Sequence, residues 1–146
     1  MVALELIALL ATGLFAGAAI YVTLVEHPAR VECGPALAIT EFRPSYRRGA
    51  FMQAGLASVG CVAALAAWTQ GRGTPVLVAG ILLGAAIPYT LTVILPTNKR
   101  LLDPRLDPRT AEAATLLARW GHLHAGRSVA GVLAFLLLGL HSLGMI

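Results

Sequence analysis

Ionisable side chains that can transfer protons, bind anions or ligate metals lie at the ends of the long apolar stretches of this 146-residue chain. The first stretch ends at Glu26 and His27, and the last one begins beside Trp120, His124 and Arg127. Ionisable residues within apolar helical segments generally face the interior of a helix bundle and pair with one another. We therefore expect these side chains to converge on one site, with Glu26 and Arg127 as partners.

The spacing at the start of the last stretch predicts which histidine belongs to this site. On a helix, Trp120, His124 and Arg127 occupy positions i, i+4 and i+7 and form one stripe. His122 points roughly 160° away from the direction of His124 at 3.6 residues per turn. His124 is therefore the candidate, and His122 is expected to lie elsewhere.

Simpler explanations exist for the cationic and aromatic residues. Long side chains such as those of Arg30 and Arg127 can reach lipid headgroups, and Trp120 can anchor a helix at the membrane interface. Glu26 beside His27 is harder to explain in this way, because a carboxylate gains nothing from an anionic headgroup. That pair favours a functional site.

Metal ligation is an alternative chemistry for the same residues. His27, His122 and His124 could supply imidazoles, and Glu26 a carboxylate. However, the sequence has no HxxxH or ExxH pair, and His122 and His124 are poorly spaced for joint ligation on a helix. It also has no Gly-rich phosphate loop and no GxSxG motif. We therefore expect no metal, no haem and no other cofactor.

The elements expected to position these residues are four transmembrane helices. The chain has 58% hydrophobic and 12% charged residues and a mean hydropathy of +0.78, whereas about a quarter of the residues in soluble domains are charged. Apolar stretches cover residues 4–25, 49–69, 75–95 and 128–145, each close to the roughly 20 residues that cross a bilayer. The sequence predicts an all-α, four-transmembrane-helix bundle that forms a single domain over residues 1–146.

The charges predict the orientation of this bundle. Ten of the eleven Lys and Arg residues lie between the first and second or the third and fourth stretches, and only Arg72 lies in the middle gap. The positive-inside rule therefore places both charged loops in the cytoplasm and both termini on the opposite side, in a membrane of the bacterial inner-membrane type. The expected partners are the lipid bilayer and a small apolar substrate. The net charge of +4 does not indicate nucleic-acid binding, because no soluble basic face exists to hold a duplex.

Two segments in the charged loops predict short interfacial helices. An apolar run, residues 36–39, lies between Pro35 and Pro44. After a turn-rich segment, residues 110–119 are predicted to form a helix that is capped by Thr110 or Asp107 and can continue into the fourth stretch.

Prolines and glycines indicate where the helices bend or pack. Pro88 lies inside the third stretch, next to Tyr89 and Thr90, and predicts a bend beside a polar pocket. Gly13 and Gly17 are one turn apart and allow another helix to approach closely. That surface serves either packing within the chain or a homodimer.

Taken together, the motifs resemble those of the DUF1772, or anthrone oxygenase-like, family of small membrane proteins. The resemblance extends from the first helix to the fourth and rests on the combined spacing of Glu26-His27-Pro28-Ala29-Arg30, Pro44-x-Tyr46-Arg47-Arg48 with Gln53, Pro96-Thr97-Asn98, and Trp120-x3-His124-x2-Arg127. It implies oxidation of an apolar, anthrone-like aromatic to a quinone by O₂, without a metal or flavin.

The resemblance also implies roles for individual residues. The base that forms a substrate carbanion is His124 or His27. Glu26 orients a histidine or holds Arg127, and Arg127 stabilises the oxyanion and the peroxide. The remaining candidates bind the substrate or its oxyanion: Trp120, Asn98, Tyr46, Tyr89, Arg30, Arg47, Gln53 and Thr97.

Two further functions stay open on the sequence alone. The same inward polar cluster suits a non-catalytic membrane module that binds or transports a lipid, a quinone or a small solute. A metal- or haem-binding membrane redox protein is the other possibility. Flux without chemical change separates the first from an oxygenase, and an optical spectrum with a metal analysis separates the second.

Overall fold

The computed structural model describes residues 2–146, and its regular elements are all helical. Four helices are long and apolar enough to cross a membrane: α1 (Val2–Glu32), α2 (Pro35–Thr69), α3 (Thr74–Leu102) and α4 (Ala111–Ser142). No strand occurs within the described residues. The predicted all-α, four-helix membrane fold is confirmed.

The helices are longer than the predicted spans. They contain 29 to 35 residues, which corresponds to roughly 45–50 Å at 1.5 Å per residue, against about 30 Å of hydrocarbon. Each helix therefore extends well past the apolar layer. The extra turns lie mainly at the end of the bundle that carries the charged residues.

The helices form an antiparallel ring. Each helix packs against its neighbours in sequence, and α1 closes the ring against α4. Small residues let the backbones approach. A Cβ atom added at Gly131 on α4 would lie 2.8 Å from the ring of Phe15 on α1, and one added at Gly84 on α3 would lie 2.7 Å from the sulfur of Cys61 on α2. Between these close contacts, a cavity remains near the charged end of the bundle.

The two segments predicted as short interfacial helices are parts of the long helices, and for residues 110–119 such a continuation into the fourth stretch was predicted. Residues 35–48 are the first turns of α2, which continues through Pro44. Proline removes one backbone bond, and the helix persists because Ile39 and Phe42 are buried against α3 and α4. Similarly, α4 starts directly after Thr110, whose hydroxyl accepts a hydrogen bond from the backbone N–H of Ala113 at 3.3 Å. The prediction of a helix capped by Thr110 is confirmed.

Two π-helical turns interrupt the helices near the charged end. They are Val22–Glu26 in α1 and Thr90–Ile94 in α3. Each one ends two residues before a proline, Pro28 or Pro96, which cannot donate to the preceding turn. The sequence predicts a bend at Pro88, and the π-helical turn of α3 begins two residues later, at Thr90. Such turns are frequent at functional sites.

The opposite end of the bundle is held by a separate ion pair. The Arg72 guanidinium lies 2.9 Å from Glu5, and Nε2 of His141 lies 3.6 Å from the same carboxylate. These contacts join α1, the loop between α2 and α3, and the last turns of α4. They lie at the end away from the cluster of candidate site residues.

Gly13 packs within the chain. A Cβ atom there would lie 2.9 Å from the ring of Phe135, whereas nothing lies within 4 Å of one at Gly17. Only Gly17 of this pair is open to a neighbouring molecule, and a homodimer stays a prediction.

Candidate functional site

A cavity of about 220 Å³ lies between the helices at the charged end. All four helices contribute to its wall. Its apolar surface comes from Phe15, Phe42, Ala57, Ile87 and Ile94. Most of the candidate residues named from the sequence form its polar surface: Glu26, Arg30, Tyr46, Gln53, Asn98, Trp120, His124 and Arg127.

The cavity reaches the lipid-facing surface between α2 and α3. Ala50, Ala54 and Leu91 line it there, and Ala54 and Leu91 are also exposed on the outer surface of the bundle. The small side chains of Ala50 and Ala54 leave a gap between the two helices. The cavity wall therefore includes residues that are exposed on the lipid-facing surface of the bundle.

The Arg127 guanidinium lies at the centre of the polar wall. Its Nη2 donates to Oε1 of Gln53 at 2.6 Å and lies 2.8 Å from Nε2 of His124, while Nη1 donates to the Thr90 hydroxyl at 3.4 Å. These partners come from α2, α3 and α4 itself. The two hydrogens of Nη2 are thus directed at Gln53 and His124.

The hydrogen bonds of His124 assign its tautomer. Its Nδ1 lies 3.0 Å from the hydroxyl of Thr23, and that hydroxyl donates its own hydrogen to the Ala19 carbonyl at 2.9 Å. A guanidinium can only donate, so Nε2 of His124 is the acceptor in the contact with Arg127, and the hydrogen of the neutral imidazole is assigned to Nδ1, which donates to Thr23. Nε2 therefore carries the lone pair, and Arg127 donates to it.

Asn98 joins the walls made by α2 and α4. It is fully buried, accepts a hydrogen bond from Nε1 of Trp120 at 2.8 Å and donates through Nδ2 to the Tyr46 hydroxyl at 3.0 Å. Phe42 stacks on the ring of Tyr46 and meets the ring of Trp120 edge-on. This cluster forms one rigid side of the cavity.

The expected pairing of Glu26 with Arg127 is wrong. Glu26 forms an ion pair with Arg30, four residues later on the same helix, and it accepts a hydrogen bond from Ser45 at 2.5 Å. Arg30 also lies 2.6 Å from the carboxylate of Glu41. The i, i+4 geometry brings Glu26 and Arg30 together without tertiary structure, whereas Arg127 contacts the neutral side chains of Gln53, Thr90 and His124.

Four predicted site residues lie outside the cavity wall. His27 packs behind Trp120 with its ring centroid 5.0 Å away, and Tyr89 donates its hydroxyl hydrogen to the Leu123 carbonyl at 3.1 Å. Arg47 is exposed, and Thr97 is buried away from the cavity. His27 adjoins Glu26 in sequence, so the helix directs the two side chains about 100° apart. His122 is exposed, as its helical phase predicts.

Besides Thr90, which the sequence placed beside a polar pocket but not among the site residues, three hydroxyl residues contact the site without having been predicted. Thr23 and Ser128 surround Nδ1 of His124, and Ser45 binds Glu26. Thr23 and Ser128 do carry a signal, because each lies one turn from a candidate in the sequence: Thr23 from Glu26, and Ser128 from His124. Hydroxyls within apolar helices usually bond to their own backbone, so this signal is weak.

The loop between α3 and α4 is ordered by its own charges. Asp103 accepts hydrogen bonds from the backbone and the guanidinium of Arg105, and these bonds hold the pKa of its carboxyl below the ordinary value. The guanidinium of Arg43 donates to the Asp103 carbonyl at 3.1 Å and ties this loop to α2.

Across residues 2–146, no three His, Cys, Asp or Glu side chains are grouped so that they could hold a metal ion. The expectation of a site without a metal or other cofactor stays a prediction.

Comparison with known proteins places this arrangement in a family. The family model for anthrone oxygenase matches residues 42–137, which run from α2 into α4 and carry most of the cavity wall. Anthrone oxygenase tpcL of Aspergillus fumigatus is 38% identical over 64 residues, or 42% of this chain and 40% of the relative. The aligned region thus covers about two fifths of the length of that relative. No solved structure matches the chain. The match to the family model covers more than half of the chain, which therefore belongs to the anthrone oxygenase family.

Proposed function

We propose that this membrane protein is an oxygenase that oxidises an apolar, anthrone-like aromatic with O₂ and needs no bound cofactor. The observation that supports this most is the contact between a neutral imidazole and a guanidinium, His124 and Arg127, at the wall of an apolar cavity. Such a cavity suits a flat hydrophobic substrate. The imidazole can remove a proton, and the guanidinium can stabilise the oxyanion that results.

The net reaction is R₂CH₂ + O₂ → R₂C=O + H₂O. His124 takes a proton from the CH₂ group, which is acidic because the carbanion is delocalised onto the carbonyl oxygen. The carbanion gives one electron to O₂, and the resulting radicals combine to form a C–O bond. The imidazolium returns its proton to the peroxide. Loss of the second hydrogen as a proton then breaks the O–O bond, which leaves the ketone and water.

In this proposal, substrate binding makes the base available. Nε2 of His124 accepts a hydrogen bond from Nη2 of Arg127. A substrate carbonyl oxygen that binds Arg127 replaces Nε2 as the acceptor, so the lone pair becomes free as the oxyanion site is filled. Gln53 holds the other hydrogen of Nη2 and keeps the guanidinium in place. Proton removal thus occurs next to the positive charge that stabilises its product.

The proposed reaction is tested by oxygen uptake. Purified protein in lipid nanodiscs is mixed with a hydroxyanthrone, and O₂ consumption and quinone absorbance are followed together. We expect one O₂ consumed for each quinone formed, above the rate of spontaneous oxidation. Absence of any rate above that background would contradict the proposal.

Entry from the bilayer predicts that the gap between α2 and α3 limits the rate. We expect Ala54→Trp to lower kcat/KM for a tricyclic substrate by about tenfold or more, because even small steric changes in an apolar pocket are worth 1–3 kcal/mol. The control is Val62→Trp, at a side chain that is 67% exposed on α2 and absent from the cavity wall. Equal kinetics of the two variants would show that the substrate enters elsewhere.

A metal- or haem-containing redox protein is separated from this proposal by spectroscopy. We expect the purified protein to show no visible absorption band and no stoichiometric metal by elemental analysis, because the site offers one imidazole and no grouped carboxylates or thiols. Full activity after dialysis against a chelator is expected as well. A Soret band, or one metal per chain together with activity lost on chelation, would overturn the cofactor-free mechanism.

A non-catalytic binding or transport module is the alternative function. It uses the same cavity, and solute flux into liposomes without chemical change would support it. For the orientation, we propose that the charged end faces the cytoplasm of a bacterial-type inner membrane with both termini on the other side, because the loops there carry most of the cationic residues.

A further inference from the structure

We infer that the Tyr46 hydroxyl is a catalytic hydrogen-bond donor to a substrate oxygen, and that Trp120 and Asn98 are positioning residues that fix the direction of this bond. The inference rests on the proposed function in that the same cavity binds the substrate. It adds a second donor beside Arg127 and specifies that the ligand carries an oxygen acceptor on its aromatic ring system.

Hydrogen bonds connect Trp120 to Asn98 and Asn98 to Tyr46, and their direction follows from Trp120, which can only donate. Nε1 of Trp120 has a hydrogen and no acceptor capacity, so the atom of Asn98 that lies 2.8 Å from it must be the carbonyl oxygen. The amide orientation of Asn98 is thereby fixed. Its Nδ2 then faces the Tyr46 hydroxyl at 3.0 Å and donates to it.

This arrangement leaves the hydrogen of the Tyr46 hydroxyl without an acceptor among residues 2–146. The oxygen already accepts from Asn98, so its own O–H bond must point in another direction. Tyr46 lines the cavity, whereas Asn98 is 0% exposed and has both of its polar atoms occupied. The free hydrogen is therefore available to a ligand in the cavity.

Aromatic packing holds the Tyr46 hydroxyl in place. The ring of Phe42 stacks on that of Tyr46 with centroids 5.5 Å apart, and it meets the Trp120 ring edge-on at 5.1 Å. Trp120 is 5% exposed and Phe42 is fully buried. A donor held by buried aromatic rings needs little reorganisation when negative charge develops on the oxygen that it binds.

The developing charge determines which kinetic constant depends on Tyr46. A ring carbonyl accepts a hydrogen bond, and the oxyanion formed on deprotonation accepts a stronger one. Removal of the donor therefore lowers kcat more than it raises KM. We expect Tyr46→Phe, which keeps the stacked ring, to lower kcat by about tenfold to a hundredfold.

A variant of Asn98 tests the direction of the chain. Asn98→Asp is assayed from pH 8 upward, because burial raises the pKa of a carboxyl while the two neighbouring donors lower it. The ionised carboxylate still accepts from Trp120 but also accepts the Tyr46 hydrogen. We expect this isosteric change to lower kcat as much as Tyr46→Phe. The double variant is expected to be no slower than either single variant, because each removes the same donor. Multiplicative losses, or full activity of Asn98→Asp, would overturn the inference.

Binding measurements keep this test independent of turnover. The probes are anthraquinone, which has ring oxygens, and anthracene, which has none. We expect the wild-type protein to prefer anthraquinone and Tyr46→Phe to weaken anthraquinone binding about fivefold with anthracene unchanged, as the loss of one hydrogen bond predicts.

Equal losses for both probes, or no preference in the wild-type protein, would overturn the donor assignment. Absence of O₂ uptake together with the selective loss for anthraquinone would instead contradict the oxygenase and retain Tyr46 as a binding donor.

Discussion

Replacement of His124 by alanine is expected to lower kcat for anthrone oxidation by about a hundredfold or more, since a positioned general base contributes 10²–10⁴-fold. The structure leaves its Nε2 as the proton acceptor, because Arg127 can only donate to this atom and the imidazole hydrogen is therefore assigned to Nδ1. Arg127→Ala is expected to reduce kcat less, because the base remains while the charge that stabilises the oxyanion is lost. Both are measured as O₂ uptake in nanodiscs with a hydroxyanthrone.

The control for these variants is His122→Ala. His122 lies two residues from His124 on the same helix but is exposed, so its loss is expected to leave kcat unchanged. Thermal unfolding in detergent shows whether each variant is folded. If folded His124→Ala and Arg127→Ala both turn over at the wild-type rate, the assigned base and oxyanion donor are wrong.

Helical periodicity is enough to predict, from the sequence, which site residues on α4 share a face. Trp120, His124 and Arg127 share a face because their spacing is a property of any α-helix, and the exposure of His122 follows from the same geometry. To assign residues of the other helices to the site, one must also assume that polar side chains at the same depth in the bundle contact one another. That assumption holds for Gln53, which contacts Arg127.

The pairing of charges could not be predicted in the same way. Arg30 and Arg127 are both at suitable depth for Glu26, and the sequence does not rank them. In the structure, the local i, i+4 contact with Arg30 forms because it needs no tertiary arrangement. Arg127 is then left to neutral acceptors, which is the condition that makes it available to a substrate oxyanion.

The predicted helices are too short, because hydropathy detects the apolar stretch that crosses the membrane and not the polar turns that continue the helix. Residues 35–48 are polar enough that only a short interfacial helix is predicted there, yet Phe42 is buried at 0% exposure and holds these turns of α2 against α4. Burial of the large side chains of Ile39 and Phe42 is worth roughly 1.5–3 kcal/mol each, which together offsets the cost of about 3 kcal/mol for one internal proline. Tertiary contacts therefore decided a boundary that local composition could not.

Replacement of Arg30 is expected to produce the largest loss of stability. Its side chain is 4% exposed and binds the carboxylates of Glu26 and Glu41, and its guanidinium lies 5.8 Å from the centre of the Trp120 ring. Arg30→Met keeps much of the side-chain volume but leaves Glu26 without its partner. We expect a decrease of about 3 kcal/mol in the free energy of unfolding, the lower end of the cost of breaking a buried ion pair, because the Glu26 side chain is 25% exposed.

The double variant Arg30→Met/Glu26→Gln distinguishes this cause from lost packing. If the cost comes from an unpaired carboxylate, neutralising Glu26 removes it, and the double variant is expected to be more stable than Arg30→Met alone. Glu41→Gln provides the control, since the Glu41 side chain is 46% exposed and surface pairs contribute no more than about 1 kcal/mol. The free energies are measured by SDS titration in mixed micelles. A double variant less stable than the single one would mean that Arg30 stabilises the bundle through its contacts with Phe42 and Trp120 and not through its charge.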